Sequence, residues 1–422
     1  MKNFITVSLI SLLAIVAGCS SGGGGNDNSN EVNAGTTGTV QGVIYAPNGT
    51  DPVSGAVLYV PSNSSATIQF GVIAMVASTC QDPGTTVVTS ACSGADGSFT
   101  LTNVPAGNTT VVIAKGLFKK TITVNVTGGG TANLTAVETT LPSTSGPGTQ
   151  TPRIAVVTGL WDEMEHVLAK MGFGTVDESG ALISGTEKFT LIDGNFSLND
   201  SAYQNFDFTL GSIDELKKYD LIVINCGNSY EDMLVDASVI ARIKQYVNEG
   251  GRIYVTDQSY DFVEQAFPEY VDFLGSDAVA GTDPEVRNAA EVGDDGITTD
   301  ATILQSPLVS WLGNVRCGSS TVPTNTGSCL NQDGTVHIED FLVGWAVING
   351  AHPSKTSAIT FWIQGNVSWS FLASSGVKPL TLSFPYGSGK VLYSSYHTAG
   401  TAHPYLVPQE RILQYLIFEI VQ

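Results

Sequence analysis

The segment Tyr219-Asp220-Leu221-Ile222-Val223-Ile224-Asn225-Cys226-Gly227 holds a continuous apolar run bounded by polar residues. A second run, Arg252-Ile253-Tyr254-Val255-Thr256, follows Gly250-Gly251, and a stretch with helical periodicity at 237–248 lies between the two. Continuous apolar strands connected through a helix are typical of parallel sheets that are covered on both faces. The two segments therefore predict an α/β domain with a mainly parallel, doubly wound (flavodoxin-like) sheet.

The same alternation extends outward over residues 153–422. Residues between about 275 and 376 are irregular, which predicts an insertion at the edge of the sheet, with strands near 336–338 and 358–362. Outside this insertion the pattern predicts strands at 153–157, 380–384 and 391–396 and helices at 161–171 and 408–420.

Residues 38–141 show a different pattern, in which short β-branched runs alternate with Gly, Pro and Asn turns. This spacing predicts a small all-β sandwich in a multidomain chain. The stretches GTVQGVIYAPNG, PVSGAVLYV and, at 96–107, DGSFTLTNVPAG resemble the carboxypeptidase regulatory-like (prealbumin-like) domain. The resemblance implies a rigid accessory module without catalytic residues. A Pro/Gly/Ser/Thr-rich segment at 142–152 predicts a hinge after the module.

The N-terminus reads as a leader followed by a tether. A positive start precedes an apolar run at 4–16 that is too short to span a bilayer. The run ends in Val16-Ala17-Gly18-Cys19, which resembles the bacterial lipobox. The resemblance implies cleavage before Cys19, lipidation of its thiol and, because Ser20 is not aspartate, an outer-membrane location. The alternative is an ordinary signal peptide with a chance cysteine. Residues 20–37 then predict a flexible spacer.

Charge and cysteine usage bound the partners and the compartment. The 39 acidic and 18 basic residues give a net charge of −21, which repels nucleic acid and anionic lipid, although the charge is also explained by solubility alone. Two cysteine pairs, Cys80 with Cys92 and Cys317 with Cys329, each enclose a turn-rich loop and predict disulfides formed in an oxidising compartment. A zinc site made from these four lacks any C-x2-C spacing. Cys226 is left over.

The order of strands and helices, with YDLIVINCG, GGRIYVTD and GSGKVLYSSYH, resembles the class I glutamine-amidotransferase-like fold and its ThuA-like relatives. The resemblance implies a nucleophilic cysteine on the turn after the strand that follows Gly-Gly. It also implies a histidine base after a late strand. His397 matches the histidine, but the nucleophile turn reads Asp257-Gln258-Ser259, so we expect no amidotransferase activity.

The residues present leave several interpretations of this edge. Asp257 and His397 could form an acid/base pair, and Ser259 could act as a nucleophile activated by His397. Alternatively, Asp257 caps a helix that begins near Gln258. Cys226 fits a buried thiol packed as a small hydrophobic residue better than it fits a nucleophile.

Two further groups of side chains contain residue types that can bind a metal ion. Asp162 and His166 have the i to i+4 spacing of a shared helical face, and His337, Glu339 and Asp340 cluster on a predicted strand. Neither group offers a complete ligand set, and no G-x-G-x-x-G follows Val157. We therefore expect no metal and no cofactor.

These observations favour a non-catalytic cell-envelope lipoprotein, in which a β-sandwich stalk carries a binding or assembly module for glycan or another envelope protein. It would be lipid-anchored in the outer membrane, facing the periplasm or the cell surface. The alternative is a hydrolase acting on envelope or extracellular carbohydrate with Asp257 and His397. Geometry separates the two, because a carboxylate and an imidazole in hydrogen-bond reach beside an open cleft favour the enzyme. Contacts of Asp257 with helix amides alone favour the binding module.

Overall fold

A computed structural model describes residues 35–62, 80–84, 86–194, 198, 202–227, 229–275, 286–339, 341, 344–398 and 403–422. Cys19, the predicted leader, most of the predicted tether and Asp340 lie outside these residues. In the part of the chain that is described, no helix is both long and apolar enough to cross a bilayer.

The described residues between 35 and 150 form two small sheets, of three strands in the order β4-β1-β7 and of five strands in the order β3-β2-β5-β6-β8. Alternate residues of the predicted hairpin strand, Phe99 and Leu101, are buried, as its sequence pattern requires. The elements are β1 Thr37–Val43, β2 Val57–Pro61, β3 Val87–Cys92, β4 Ser98–Pro105, β5 Gly107–Lys115, β6 Phe118–Val126, β7 Thr131–Asn133, α1 Ala136–Thr139 and β8 Thr149–Gln150.

The strand β7 ends at Asn133, and the helix α1 begins at Ala136. Thr135 starts this helix, since its backbone N–H donates to Glu138 Oε2 at 2.7 Å. The β-branched residues of the segment favour a strand, but the pairing of Thr135 with Glu138 three residues later favours a helix start.

The remainder of the chain builds one ten-stranded sheet in the order β11-β10-β9-β12-β13-β20-β19-β18-β15-β16, and a separate pair, β14-β17. Its elements are β9 Ile154–Val157, α2 Met164–Leu168, β10 Thr190–Asp193, β11 Gln204–Asn205, α3 Phe206–Leu210, α4 Ile213–Leu216, β12 Leu221–Ile224, α5 Ala237–Asn248, β13 Arg252–Thr256, α6 Asp261–Glu264, β14 Val271–Phe273, β15 Thr299–Ile303, α7 Ser306–Leu312, β16 Val336–Ile338, β17 Ile348–Ala351, β18 Thr360–Trp369, β19 Ser374–Tyr386, β20 Gly389–Ser394 and α8 Pro408–Ile420.

This sheet is mixed. Strands β11 to β20 in that order are parallel to one another, whereas β19, β18, β15 and β16 continue the sheet in antiparallel pairing. Strands β15, β16 and β18, from the irregular segment, thus extend the sheet at one edge. The central strands are buried on both faces: Ile222 and Ile224 pack in the same cluster as α5, and Val223 packs in the cluster that contains α8.

The two small sheets pack against α8. One hydrophobic cluster includes Val40 and Leu101 from these sheets together with Leu416 of α8. Two buried ion pairs cross the same contact: Lys115 Nζ lies 2.7 Å from Glu419 Oε1, and Arg411 Nη1 lies 2.6 Å from Asp51 Oδ2. The segment 142–152, which we predicted as a hinge, also contributes β8, which pairs with β6.

Both predicted disulfides are present, with Cα–Cα distances of 5.8 Å for Cys80–Cys92 and 5.1 Å for Cys317–Cys329. These four cysteines therefore do not form a zinc site. Cys226 is a buried free cysteine.

Candidate active site

Three polar side chains meet at the carboxyl ends of adjacent parallel strands. Cys226 lies two residues after β12, Asp257 directly follows β13, and His397 lies three residues after β20. One potential ligand atom from each lies within 4.8 Å of the other two. All three residues are buried, with exposed fractions of 1% or less. This edge is where ligand sites gather in open α/β sheets.

Asp257 stands on a tight turn with a φ of 41°, in the left-handed region that few residues other than glycine adopt. Its Oδ2 lies 2.8 Å from His397 Nε2, and its Oδ1 accepts a hydrogen bond from the Ala346 N–H at 3.2 Å. Burial raises the pKa of the Asp257 carboxyl, and the neighbouring His397 opposes this rise. One oxygen of the Asp257 carboxylate therefore contacts the His397 imidazole, and the other accepts from the Ala346 amide, which is far away in sequence.

The expectation that Asp257 caps a helix is therefore wrong. The turn Asp257–Tyr260 is preceded by Thr256 at the cap position, and no side chain caps it. A cap requires an extended backbone at the capping residue, whereas Asp257 is left-handed. Ser259, the other candidate on this turn, is buried and donates its hydroxyl to the Asn225 carbonyl at 2.9 Å, which anchors the turn to the neighbouring strand end.

Cys226 is the third member of the cluster. Burial raises the pKa of its thiol well above the usual value, and the nearby Asp257 carboxylate adds to that rise. Gly159 allows the β9 loop to approach, because a Cβ there would clash with the Cys226 carbonyl oxygen. The thiol is therefore protonated in the absence of a bound cation, which fits the expected buried cysteine rather than a nucleophile.

Asp162 holds the His397 loop in place. Its Oδ1 accepts hydrogen bonds from the Thr398 N–H at 2.9 Å and from the Thr398 hydroxyl at 2.6 Å. The Glu163 N–H donates to the same oxygen at 3.0 Å. Since Thr398 follows His397 directly, Asp162 fixes the loop that carries the imidazole. Its spacing from His166 suggested a metal ligand or a solvated helical face, and a lone acid after a strand gives no signal for this role.

The shared helical face that the Asp162–His166 spacing allows does not form. Helix α2 begins at Met164, so Asp162 precedes it, and His166 Nδ1 instead lies 2.8 Å from Glu163 Oε2. Burial alone would lower the pKa of His166, but the hydrogen bond with Glu163 and the nearby Glu165 carboxylate raise it.

Glu165 is a further acid near this edge. It accepts a hydrogen bond from Asn225 Nδ2 at 2.9 Å, and burial raises its pKa to about 7. Asn225 also donates to the Asp162 carbonyl at 3.0 Å and so ties the β12 end to the β9 loop. No pattern in the sequence pointed to a role for Asn225, although it immediately precedes the candidate Cys226.

A cavity of about 290 Å³ opens beside the cluster. Its described lining is mostly polar and contains no Lys or Arg; it consists of Trp161, Cys226, Gly227, Ser229, Glu231, Gln258, Asn288, Val292, Gly344 and His397. Val292 also lines a second cavity of about 520 Å³, which runs to Phe371. Trp161 and Phe371 are 56% and 100% exposed, so one exposed aromatic side chain borders each of the two neighbouring cavities.

The second histidine cluster lies elsewhere, on the surface of β15 and β16. His337 Nδ1 is 2.9 Å from Asp300 Oδ1, and its Nε2 is 3.7 Å from Glu339 Oε2. His337 and Glu339 thus share a face as expected, in an exposed setting that is typical of solvated ion pairs.

Comparisons with known proteins assign no family. No protein-family model matches the sequence, and no curated protein is significantly similar to it. Among solved structures, a ThuA-like protein from Parabacteroides merdae is similar at 13% identity, over 60% of this chain and 84% of that one, with a TM-score of 0.31. A cohesin–X-dockerin complex from Acetivibrio cellulolyticus matches 33% of this chain and 75% of that one, at 20% identity and a TM-score of 0.17. A GH42 β-galactosidase from G. stearothermophilus matches 64% of this chain and 30% of that one, at 14% identity and a TM-score of 0.25. These similarities are too distant to assign an activity, which must come from the site itself.

Proposed function

We propose that this protein is an extracytoplasmic hydrolase whose reactive centre is the Asp257–His397 pair. The observation that carries the proposal is the 2.8 Å separation between Asp257 Oδ2 and His397 Nε2 beside a polar cavity. This arrangement supports an enzyme over a binding module, because Asp257 bonds to an imidazole and to the Ala346 amide instead of capping a helix. The hydrolase therefore takes precedence over the non-catalytic module that the sequence favoured.

The pair supplies the proton transfers that hydrolysis needs. The imidazole takes a proton from water as the water oxygen attacks the scissile centre, and the Asp257 carboxylate stabilises the imidazolium. The same proton then returns to the departing oxygen as the scissile bond breaks. Glu231 lines the cavity and offers a second carboxyl group for protonating the leaving oxygen.

The cavity favours a neutral, polyhydroxylated substrate. Its described walls carry amide, hydroxyl and carboxyl groups and the His397 imidazole but no Lys or Arg, so they offer phosphate and carboxylate groups no permanent cation. Exposed aromatic faces of Trp161 and Phe371 provide flat surfaces that suit sugar rings, and the adjoining cavities give room for more than one unit. Carbohydrate of the envelope or its surroundings fits these features.

We further propose that the chain acts from a lipid anchor at Cys19 in the outer membrane, as the lipobox resemblance implies. The two disulfides support a compartment outside the cytoplasm. In the same proposal, residues 38–141 are a prealbumin-like module and residues 153–422 a divergent amidotransferase-like, ThuA-like domain. The contacts of Lys115 and Asp51 with α8 support a module that holds a fixed orientation instead of swinging on its linker.

The proposal is tested by assaying the full-length protein on a panel of neutral oligo- and polysaccharides for newly formed chain ends. We expect His397→Ala and Asp257→Asn to lower the rate by about 10²–10⁴-fold, the range that a positioned acid/base contributes. The matched control is His352→Ala, which changes a histidine on a separate turn, 2.7 Å from Ser354 Oγ, and should keep wild-type activity. Equal activity of all variants, or no activity of the wild type on any member of the panel, would contradict the hydrolase.

A further inference from the structure

The three side chains at the sheet edge also have the chemistry of a metal site. A thiol, an imidazole and a carboxylate place one potential ligand atom each within 4.8 Å of one another. Sulfur, nitrogen and oxygen donors in this combination are those that Zn²⁺ accepts. Among the described residues, no other group of three such side chains comes together in this way.

We propose that Cys226, Asp257 and His397 bind one divalent ion of the zinc type, with the fourth coordination position open to the 290 Å³ cavity. Three protein ligands and one exchangeable position is the pattern of catalytic rather than structural zinc. The inference deepens the proposed function and shares its site, because a bound ion would activate the hydrolytic water in place of the imidazole.

The distances require only a small adjustment. Ligands of one tetrahedral zinc lie about 3.3–3.7 Å apart, given bond lengths of about 2.0–2.3 Å. The Asp257–His397 separation of 2.8 Å would open by roughly half an ångström, and the thiol, within 4.8 Å of both, would move closer by up to about 1.5 Å. The Cys226 proton leaves to solvent, and the thiolate then bonds the ion.

The surroundings already orient the ligands. The Ala346 N–H donates to Asp257 Oδ1, and the Tyr393 hydroxyl donates to the Asp257 carbonyl at 2.9 Å. Asp162 fixes Thr398, the residue that follows His397. Such outer contacts hold ligands in position before the ion arrives. No Lys or Arg lines the described cavity wall, so a divalent ion would supply a permanent positive charge next to the buried Asp257 carboxylate.

The test uses the metal alone as its probe. Full-length protein is stripped with a chelator and titrated with Co²⁺, and the thiolate-to-cobalt charge-transfer absorption is followed in the near ultraviolet. We expect one Co²⁺ per chain, displaced by Zn²⁺, and loss of the band in Cys226→Ser. The other four described cysteines form disulfides, and loss of the band in Cys226→Ser shows that it arises from Cys226 and not from Cys19.

Removing a second ligand separates this site from adventitious binding. His397→Ala and Asp257→Asn should weaken Co²⁺ binding by more than the roughly 10–100-fold that loss of an outer contact costs. His352→Ala is the matched control and should bind like the wild type, and thermal unfolding checks that each variant is folded. No band in the wild type, or a band that survives Cys226→Ser, overturns the metal site.

Activity distinguishes failure of this inference from failure of the hydrolase. Carbohydrate hydrolysis that persists in chelated protein without a cobalt band overturns the ion and leaves the acid/base pair. A cobalt band that depends on Cys226, in a protein inactive on every carbohydrate of the panel, supports the ion and contradicts the hydrolase.

Discussion

Two buried polar clusters in this molecule each contain an aspartate, but the partners of that aspartate differ. Where the small sheets meet α8, the Arg411 guanidinium donates to Asp51, to Gln414 and twice to the Arg316 carbonyl. At the sheet edge, Asp257 instead faces an imidazole and a thiol beside a cavity.

Buried charge by itself therefore does not mark a functional site. In the α8 contact a permanent cation has its donors occupied and no solvent access, so the cluster only holds two parts together. At the sheet edge the partners of the carboxylate can gain or lose protons and lie next to open space, which is what proton transfer or metal binding requires. The predictions below separate the two clusters by their effect on stability.

The largest expected effect belongs to Arg411→Ala. The change leaves the buried Asp51 carboxylate without its cation, and breaking such a pair costs about 3–5 kcal/mol. Chemical denaturation of wild type and variant measures it. Arg153→Ala is the control, because its pair with Asp220 is largely exposed and should contribute about 1 kcal/mol or less. Similar losses in both variants would show that the α8 contact is no more important than a surface pair.

A smaller effect, of opposite sign, is expected for Lys390→Met. Lys390 is also buried near the contact between the small sheets and α8. Burial, together with the nearby Arg252 cation, lowers the pKa of Lys390 from 10.5 to about 7. Between these values the unfolded chain holds a proton that the folded chain lacks, so the Lys390 contribution to stability rises as pH increases from about 7 towards 10.5.

Below about pH 7 the folded protein carries this buried charge at full cost. We therefore expect Lys390→Met to stabilise the protein by about 2 kcal/mol at pH 6 and to have less effect at pH 9. Unfolding midpoints at the two pH values measure the change. A variant that is equally stable or less stable than the wild type at pH 6 would show that Lys390 is well accommodated as a cation.

The smallest effect on stability is expected at the sheet edge itself. Asparagine tolerates the left-handed backbone of Asp257 and can still accept from the Ala346 N–H, while it removes a buried charge. Asp257→Asn should therefore leave the midpoint unchanged or raise the stability by about 1 kcal/mol, even as activity falls. A loss as large as that of Arg411→Ala would place Asp257 among the structural pairs.

Much of the central sheet was predictable because its signals are local. The apolar runs at 221–225 and 252–256 and the helices Ala237–Asn248 and Pro408–Ile420 appear within a residue of the expected bounds. The proximity of Asp257 and His397 could also be predicted, since the carboxyl ends of adjacent parallel strands lie at the same edge of a sheet.

The surroundings of the site were not predictable. Ala346, which donates to Asp257, and the cavity residues Asn288 and Val292 come from the irregular insertion. Their positions depend on long-range packing, for which no periodic pattern exists. The same holds for Arg411 and Asp51, whose partnership is invisible in a sequence where they stand far apart.

That separation bears on how the chain matures. Asp51 and Lys115 pair with residues 360 and 304 positions further along, both within the final helix. Because contacts between remote segments must await the later one, the early sheets remain undocked until α8 has been synthesised. A polypeptide truncated before α8 would therefore retain its early strands but lack the two ion pairs that join them to the rest of the molecule.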